Sequence, residues 1–117
     1  MMNEYIFSRI DYDSDPLWVV KDFFNSLNLS QRLVWGVESI IKRNGFVINE
    51  TYCHFPDFED ADPECHFEGI MFGVWEGEII VPESVGFNYV KLACEKYLQL
   101  HPEDTEKVNA LLAQIPQ

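Results

Sequence analysis

Between residues 45 and 90 the chain has no lysine and no arginine. The same stretch carries ten carboxylates, so it accounts for −10 of the formal net charge of −12. A surface of that sign repels nucleic acid and anionic membranes, which excludes sequence-independent binding to either. Long hydrophobic runs are missing too. No unbroken apolar stretch exceeds about five residues, far short of the ~20 needed to span a bilayer. The opening Met-Met-Asn-Glu has neither a basic n-region nor an apolar h-region, so no secretory leader and a cytoplasmic location are expected. Cysteine is sparse and odd in number: Cys53, Cys65 and Cys94 offer no paired framework and read as free thiols. The six glycines are scattered, which leaves no phosphate-cradling loop, and no G-x-S-x-G elbow is present. These absences argue against an enzyme.

What is present is a globular composition. Apolar residues make up 47% and charged residues 24% of 117 positions, enough for one domain over residues 1–117 with an ordinary core. Residues 1–44 and 91–117 each carry a net charge of only −1. The middle third is therefore the chain's chemical anomaly.

Periodicity predicts an α+β fold: two N-terminal helices, a central antiparallel sheet of three or more strands, and two C-terminal helices. Leu17, Val20, Phe24 and Leu27 recur at helical spacing behind Ser14, Asp15 and Pro16, which predicts the first helix with Ser14 or Asp15 as its cap. Leu33, Val34, Val37, Ile40 and Ile41 form the apolar face of the second, with Ser30 as its cap and Asn44-Gly45 as its left-handed stop. Residues 46–55 read as one strand. Residues 67–75 alternate, placing Ile70, Phe72 and Val74 on one face and Phe67, Met71 and Trp75 on the other. A tight turn at Glu76-Gly77 then leads into a strand over residues 78–81. Between the first strand and this hairpin lies an acidic loop with two prolines and five carboxylates in residues 56–64. Ser84 caps a helix bearing Phe87, Val90, Cys94, Tyr97 and Leu98; after the His101-Pro102 break, Val108, Leu111, Leu112 and Ile115 mark the last one.

Several chemistries can be weighed on the acidic third. Cys53-His54 and Cys65-His66 repeat a metal-ligating pair, yet neighbours on a strand point to opposite faces and structural zinc sites space their ligands two to four apart. Asp57, Glu59, Asp60 and Asp62 lack the glycine and the terminal glutamate of an EF-hand loop. Acid–base work by paired carboxylates needs a cleft that a Pro-flanked surface loop does not supply. No metal or cofactor is expected. A purely solubilising face remains the simple alternative, but such faces mix both signs of charge. Here Phe55, Phe58, Phe67 and Trp75 sit among acids alone, the composition of a surface that docks on a basic cleft.

The run Phe67-Glu68-Gly69-Ile70-Met71-Phe72 followed by a short hairpin resembles the core strand of small bacterial immunity proteins. So does the closing pattern of Phe87, Tyr89, Val90, Lys96 and Tyr97, with His101-Pro102-Glu103-Asp104, Glu106-Lys107-Val108 and Leu111-Leu112. Asn44-Gly45-Phe46 fits the entry into the first strand. The resemblance is to the ribonuclease-toxin immunity proteins of contact-dependent growth inhibition systems, over roughly residues 44–115; the 43 residues before them do not match. It implies a cytoplasmic, non-enzymatic protein that binds the basic C-terminal nuclease domain of a toxin, with no nucleic acid or membrane partner. The alternative is a small acidic adaptor binding a basic host protein or peptide. Charge alone nominates the contact residues: Asp57, Phe58, Glu59, Asp60 and Asp62 in the loop, and Glu68, Trp75, Glu76 and Glu78 on the hairpin.

Overall fold

The computed structural model of the chain describes residues 5–115. Met1 to Glu4, read above as carrying no leader, lie outside the described residues. The elements run α1 (Trp18–Leu29), α2 (Leu33–Ile41), β1 (Phe46–Ile48), β2 (Thr51–His54), β3 (Ile70–Val74), β4 (Gly77–Val81), α3 (Glu83–Leu100) and α4 (Thr105–Leu112), with 3₁₀ turns at Pro63–Cys65 and Pro102–Asp104. The expected α+β class and its helix–sheet–helix order are what the chain adopts.

Element ends differ from the sequence reading for local reasons. Helix α1 begins later than Ser14 or Asp15 would set it, with Leu17 in the N-cap position. Asp15 Oδ1 instead accepts the Leu17 N–H at 2.9 Å, and its carboxylate takes the Lys21 ammonium. Ser30, expected to cap α2, is the C-cap of α1. Gln31 there adopts φ 59°, and the bonds Gln31 N to Asn28 O (3.0 Å) and Arg32 N to Leu27 O (2.8 Å) close a Schellman motif. Helix α2 ends the same way: Arg43 (φ 57°), not Asn44 or Gly45, takes the left-handed position, with Arg43 N to Ile40 O and Asn44 N to Ser39 O bonds. In both motifs, backbone bonding outweighs the modest cost of placing a non-glycine residue there.

The expected single strand over residues 46–55 is a hairpin. Asn49, at φ 56°, turns the chain so that Ile48 pairs with Thr51; asparagine tolerates that conformation because its side chain bonds locally. The later turn is Trp75-Glu76, one residue ahead of the expected pair, since Val74 is opposite Gly77. Gly69 adopts φ +107°, and a Cβ there would lie 2.1 Å from the Val81 carbonyl oxygen, so only glycine admits the entry into β3.

The four strands form an antiparallel meander in the order β1-β2-β3-β4. Register puts Phe46, Cys53, Phe72 and Ile79 in one row across the sheet. That row faces the helices: Phe23 of α1 packs edge-on to Phe72 with ring centroids 4.8 Å apart and also meets Phe24 and Phe46. Ile70, Phe72 and Val74 are buried, as their alternation predicts. Helix α3 buries Phe87, Val90, Ala93 and Cys94, and α4 seals the far side with Val108 and Leu111. The segment before α1 is stitched down by buried Asn25, whose side chain accepts the Phe7 N–H and donates to the Phe7 carbonyl, both at 2.8 Å.

Candidate partner-binding surface

Because side chains alternate along a strand, burying one row exposes the next. The outward rows are Val47–Tyr52–Gly73–Glu78 and His54–Met71–Ile80. Val47 is 60% exposed and Ile80 43%, and His54 and Glu78 are exposed as well. This face is the open side of the sheet.

Gly73 shapes it. A Cβ at that position would lie 2.0 Å from the Tyr52 ring, so the missing side chain lets tyrosine lie flat across β3. Its hydroxyl thereby reaches two strands over and donates to Glu78 Oε1 at 2.5 Å. The bond to that carboxylate, with burial and the negative charge adding to it, pushes the Tyr52 phenol up to about 12. His54 stacks beside the same ring at 5.3 Å. Glu78 is thus held at a defined place on an apolar surface.

The acidic loop folds back along one end of this face. Asp57 N–H donates to the Cys65 carbonyl at 2.8 Å and closes it. Within it, Asp57, Asp60 and Asp62 each accept the backbone N–H two residues on, from Glu59 (3.1 Å), Asp62 (2.8 Å) and Glu64 (3.0 Å). These turns use one oxygen of each carboxylate, and the side chains remain exposed. His66 Nε2 lies 2.6 Å from the Asp60 carbonyl oxygen, and its ring stacks on Phe58, which is 61% exposed. Loop and sheet enclose a groove of about 550 Å³ whose walls include Asp62, Glu64, Phe67, Met71, Glu78 and Ile80.

The structure therefore divides the nominated residues. Asp62 and Glu78 share the groove. Asp57, Phe58, Glu59 and Asp60 occupy the adjoining loop, and exposed Glu68 leads into β3. Trp75 and Glu76 lie at the opposite end of β3, about 13 Å along the strand. There Trp75 is 76% exposed. Burial, then the bond to Asp22 and its charge, and only then Glu76 hold the Tyr12 phenol above its ordinary value. Burial and the charge of Glu76 hold the Asp22 carboxyl up against the lowering bond from Tyr12. Tyr52, His54, Met71 and Ile80 were missed. Their signal was the outward half of the strand alternation, which becomes informative once it is known that one sheet face lacks a helix.

Among the described residues, Glu83 is the one carboxylate of the ten in residues 45–90 with a cation in ion-pair range, gripped by Arg43 at 2.6 and 3.2 Å. Cys53 and Cys94 sit apart from this chemistry, whereas Cys65 lines the groove, its thiol pushed up by burial and then by the charges of Asp60 and Asp62. Burial pushes Cys53 and Cys94 up to about 12, and Cys53 faces the core while His54 is exposed on the other side of the strand. Among the described residues no three His, Cys, Asp or Glu side chains are grouped to hold a metal ion, and no helix is long and apolar enough to cross a membrane.

A family model described as CDI immunity protein matches residues 16–112. The chain belongs to the CDI immunity protein family. The match takes in both N-terminal helices, which the sequence resemblance left out, and ends with α4. No curated protein matches the chain. Membership decides between an immunity protein and an adaptor in favour of immunity: the family neutralises a toxin by binding it, and the partner is the cognate toxin protein.

Proposed function

We propose that this CDI immunity protein neutralises a nuclease toxin domain in the cytoplasm by laying its acidic sheet face and loop over the toxin's basic substrate cleft. The observation that carries the reading is the state of the ten carboxylates in residues 45–90: Glu83 meets Arg43, and the other nine have no cation in ion-pair range among the described residues. Carboxylates held near one another without counter-charges repel, and a basic partner relieves that repulsion. A nuclease must keep a positive cleft to hold phosphates. Opposed charge raises the encounter rate from about 10⁵–10⁶ toward about 10⁸–10⁹ M⁻¹s⁻¹ at low salt, which favours capture of a toxin before it turns over. Aromatic anchors such as Phe58 and Trp75 then slow release.

The test replaces Asp57, Asp60 and Asp62 by asparagine and Glu59 by glutamine. Asparagine keeps the acceptor oxygen that each loop turn uses, so the fold is retained while four charges are lost. Association with the cognate toxin domain should slow about tenfold at low salt and show a clearly shallower salt dependence, with weaker protection of cells expressing the toxin. An association rate and salt slope equal to those of the parent, with the same result for Glu68→Gln, Glu76→Gln and Glu78→Gln together, overturn the acidic-surface mechanism. Nuclease activity of the toxin alone, assayed on RNA and on DNA, reports the substrate; a toxin inactive on both overturns the nuclease assignment.

A further inference from the structure

The open sheet face carries three kinds of feature at once: an apolar floor, an acidic rim and a rigid orienting device. The floor is Phe67, Met71 and Ile80; the rim is Asp62, Glu64 and Glu78. At about 550 Å³ the groove falls in the ordinary size range of binding sites, roughly 300–1,000 Å³. Two other grooves of comparable size, about 520 and 460 Å³, each contain a cation, Arg9 in one and Lys107 in the other. The walls of the sheet groove hold carboxylates and His54 but no lysine or arginine.

That combination matches one kind of side chain. Lysine and arginine bury an aliphatic stem against apolar surface while the charged head stays at a polar rim. Arginine adds a planar head that can fork onto a carboxylate and stack on an aromatic ring. The Tyr52 hydroxyl engages Glu78 Oε1 and leaves Oε2 to a partner. Since Tyr52 lies over Gly73, Glu78 is oriented before anything binds, which reduces the ordering cost of association.

We infer that the groove between the open sheet face and the 56–69 loop receives a lysine or arginine side chain of the toxin domain, anchored by Glu78 and packed on Met71 and Ile80. The inference rests on the acidic-surface reading and narrows it. The carboxylates of the loop and Glu76 steer the partner, while the groove, together with the Phe58 and Trp75 anchors, sets how long it stays. Charges on the rim act on encounter, whereas a desolvated charge pair acts on release.

Two variants test it against the cognate toxin domain. Ile80→Arg places a guanidinium of the chain's own in the groove beside Glu78, at a position already 43% exposed, so the fold tolerates it. Glu78→Gln keeps an acceptor for Tyr52 but removes the charge. Ile80→Arg should raise the dissociation constant at least 100-fold, mainly through faster release, and Glu78→Gln about tenfold or more. Circular dichroism and thermal melting of each free variant report folding. If Ile80→Arg folds and its release rate stays within twofold of the parent, the groove assignment is wrong. The acidic-surface reading survives that result provided the loop variants or the combined Glu68→Gln, Glu76→Gln and Glu78→Gln variant still slow association, and falls with it if neither does. If Ile80→Arg fails to fold, Glu78→Gln with unchanged release overturns the assignment by itself. Sedimentation of the parent chain alone covers the competing occupant: a dimer that Ile80→Arg dissolves would assign the groove to a second copy of this chain and overturn the proposal.

Discussion

Replacing Gly73 by alanine tests how the open face is built. Taken alone, the change should help β3, because glycine inside a strand is worth roughly 0.5–1 kcal/mol less than alanine. The neighbour reverses the sign. The new Cβ falls 2.0–2.4 Å from three atoms of the Tyr52 ring, so the ring has to leave the strand. Leaving breaks its bond to Glu78, for which we take about 1–1.5 kcal/mol, the low end for a charged acceptor because water reaches both groups. It also uncovers apolar surface of a half-buried ring, roughly another 1 kcal/mol. The net cost is about 1–2 kcal/mol, or a fall of roughly 4–8 °C in melting temperature for a domain of this size. Thermal unfolding of Gly73→Ala, Tyr52→Ala and the double variant forms the assay. With Tyr52 gone, Gly73→Ala should become neutral or stabilising. Equal destabilisation in both backgrounds would refute the account of Gly73 as the seat of the tyrosine. An ultraviolet titration adds a second readout: the Tyr52 phenol, pushed up to about 12 in the parent, should return toward its ordinary value in Gly73→Ala.

Three further outcomes are expected. Cys53 and Cys94, both pushed up to about 12 by burial, are neutral in the fold and ionise more easily once unfolded; their contribution is complete below pH 9 and is lost as pH rises from there to about 12. Denaturant titrations from pH 8 to 11 should show that decline, and Cys53→Ala should reduce its slope. Replacing Asn25 by alanine strands the Phe7 N–H and carbonyl, costing about 2–4 kcal/mol, and hydrogen exchange at residues 5–10 should speed up more than the loss of global stability alone accelerates it in β3. Phe72→Ala removes the ring that Phe23 and Phe24 both meet and should cost about 3–5 kcal/mol by chemical denaturation.

Much of the fold was legible in advance because long apolar periodicities survive any local detail. Leu33, Val37, Ile40 and Ile41 had one way to be buried together, and Ile70, Phe72 and Val74 had one strand face to share. Element ends were less legible. Ser30 is as good a residue for an N-cap as for the end of α1, and the choice went to the Schellman bonds at Gln31 and Arg32, which depend on how α1 meets α2. Residues 46–55 have the composition of one strand throughout, and Asn49 marks the turn only weakly. For the candidate site, charge segregation singled out the middle third of the chain. It could not tell Glu83, tied to Arg43 forty positions earlier, from Glu78, held open on the sheet.

The sequence by itself determined the class of the fold, the confinement of −10 to residues 45–90 and the absence of any counter-charge within them, since composition and period-2 or period-3.6 patterning are properties of the chain alone. Tertiary structure decided which side of the sheet stays open. Helices α1 and α3 bring Phe23 and Phe87 into the core with Phe72, so the Tyr52–Gly73–Glu78 row is left to solvent. It also decided that loop and sheet share a groove, through the Asp57–Cys65 closure, and that Trp75 and Glu76 stand at the far end of β3. Those are relations between residues distant in sequence, set by strand pairing and helix packing rather than by any local preference.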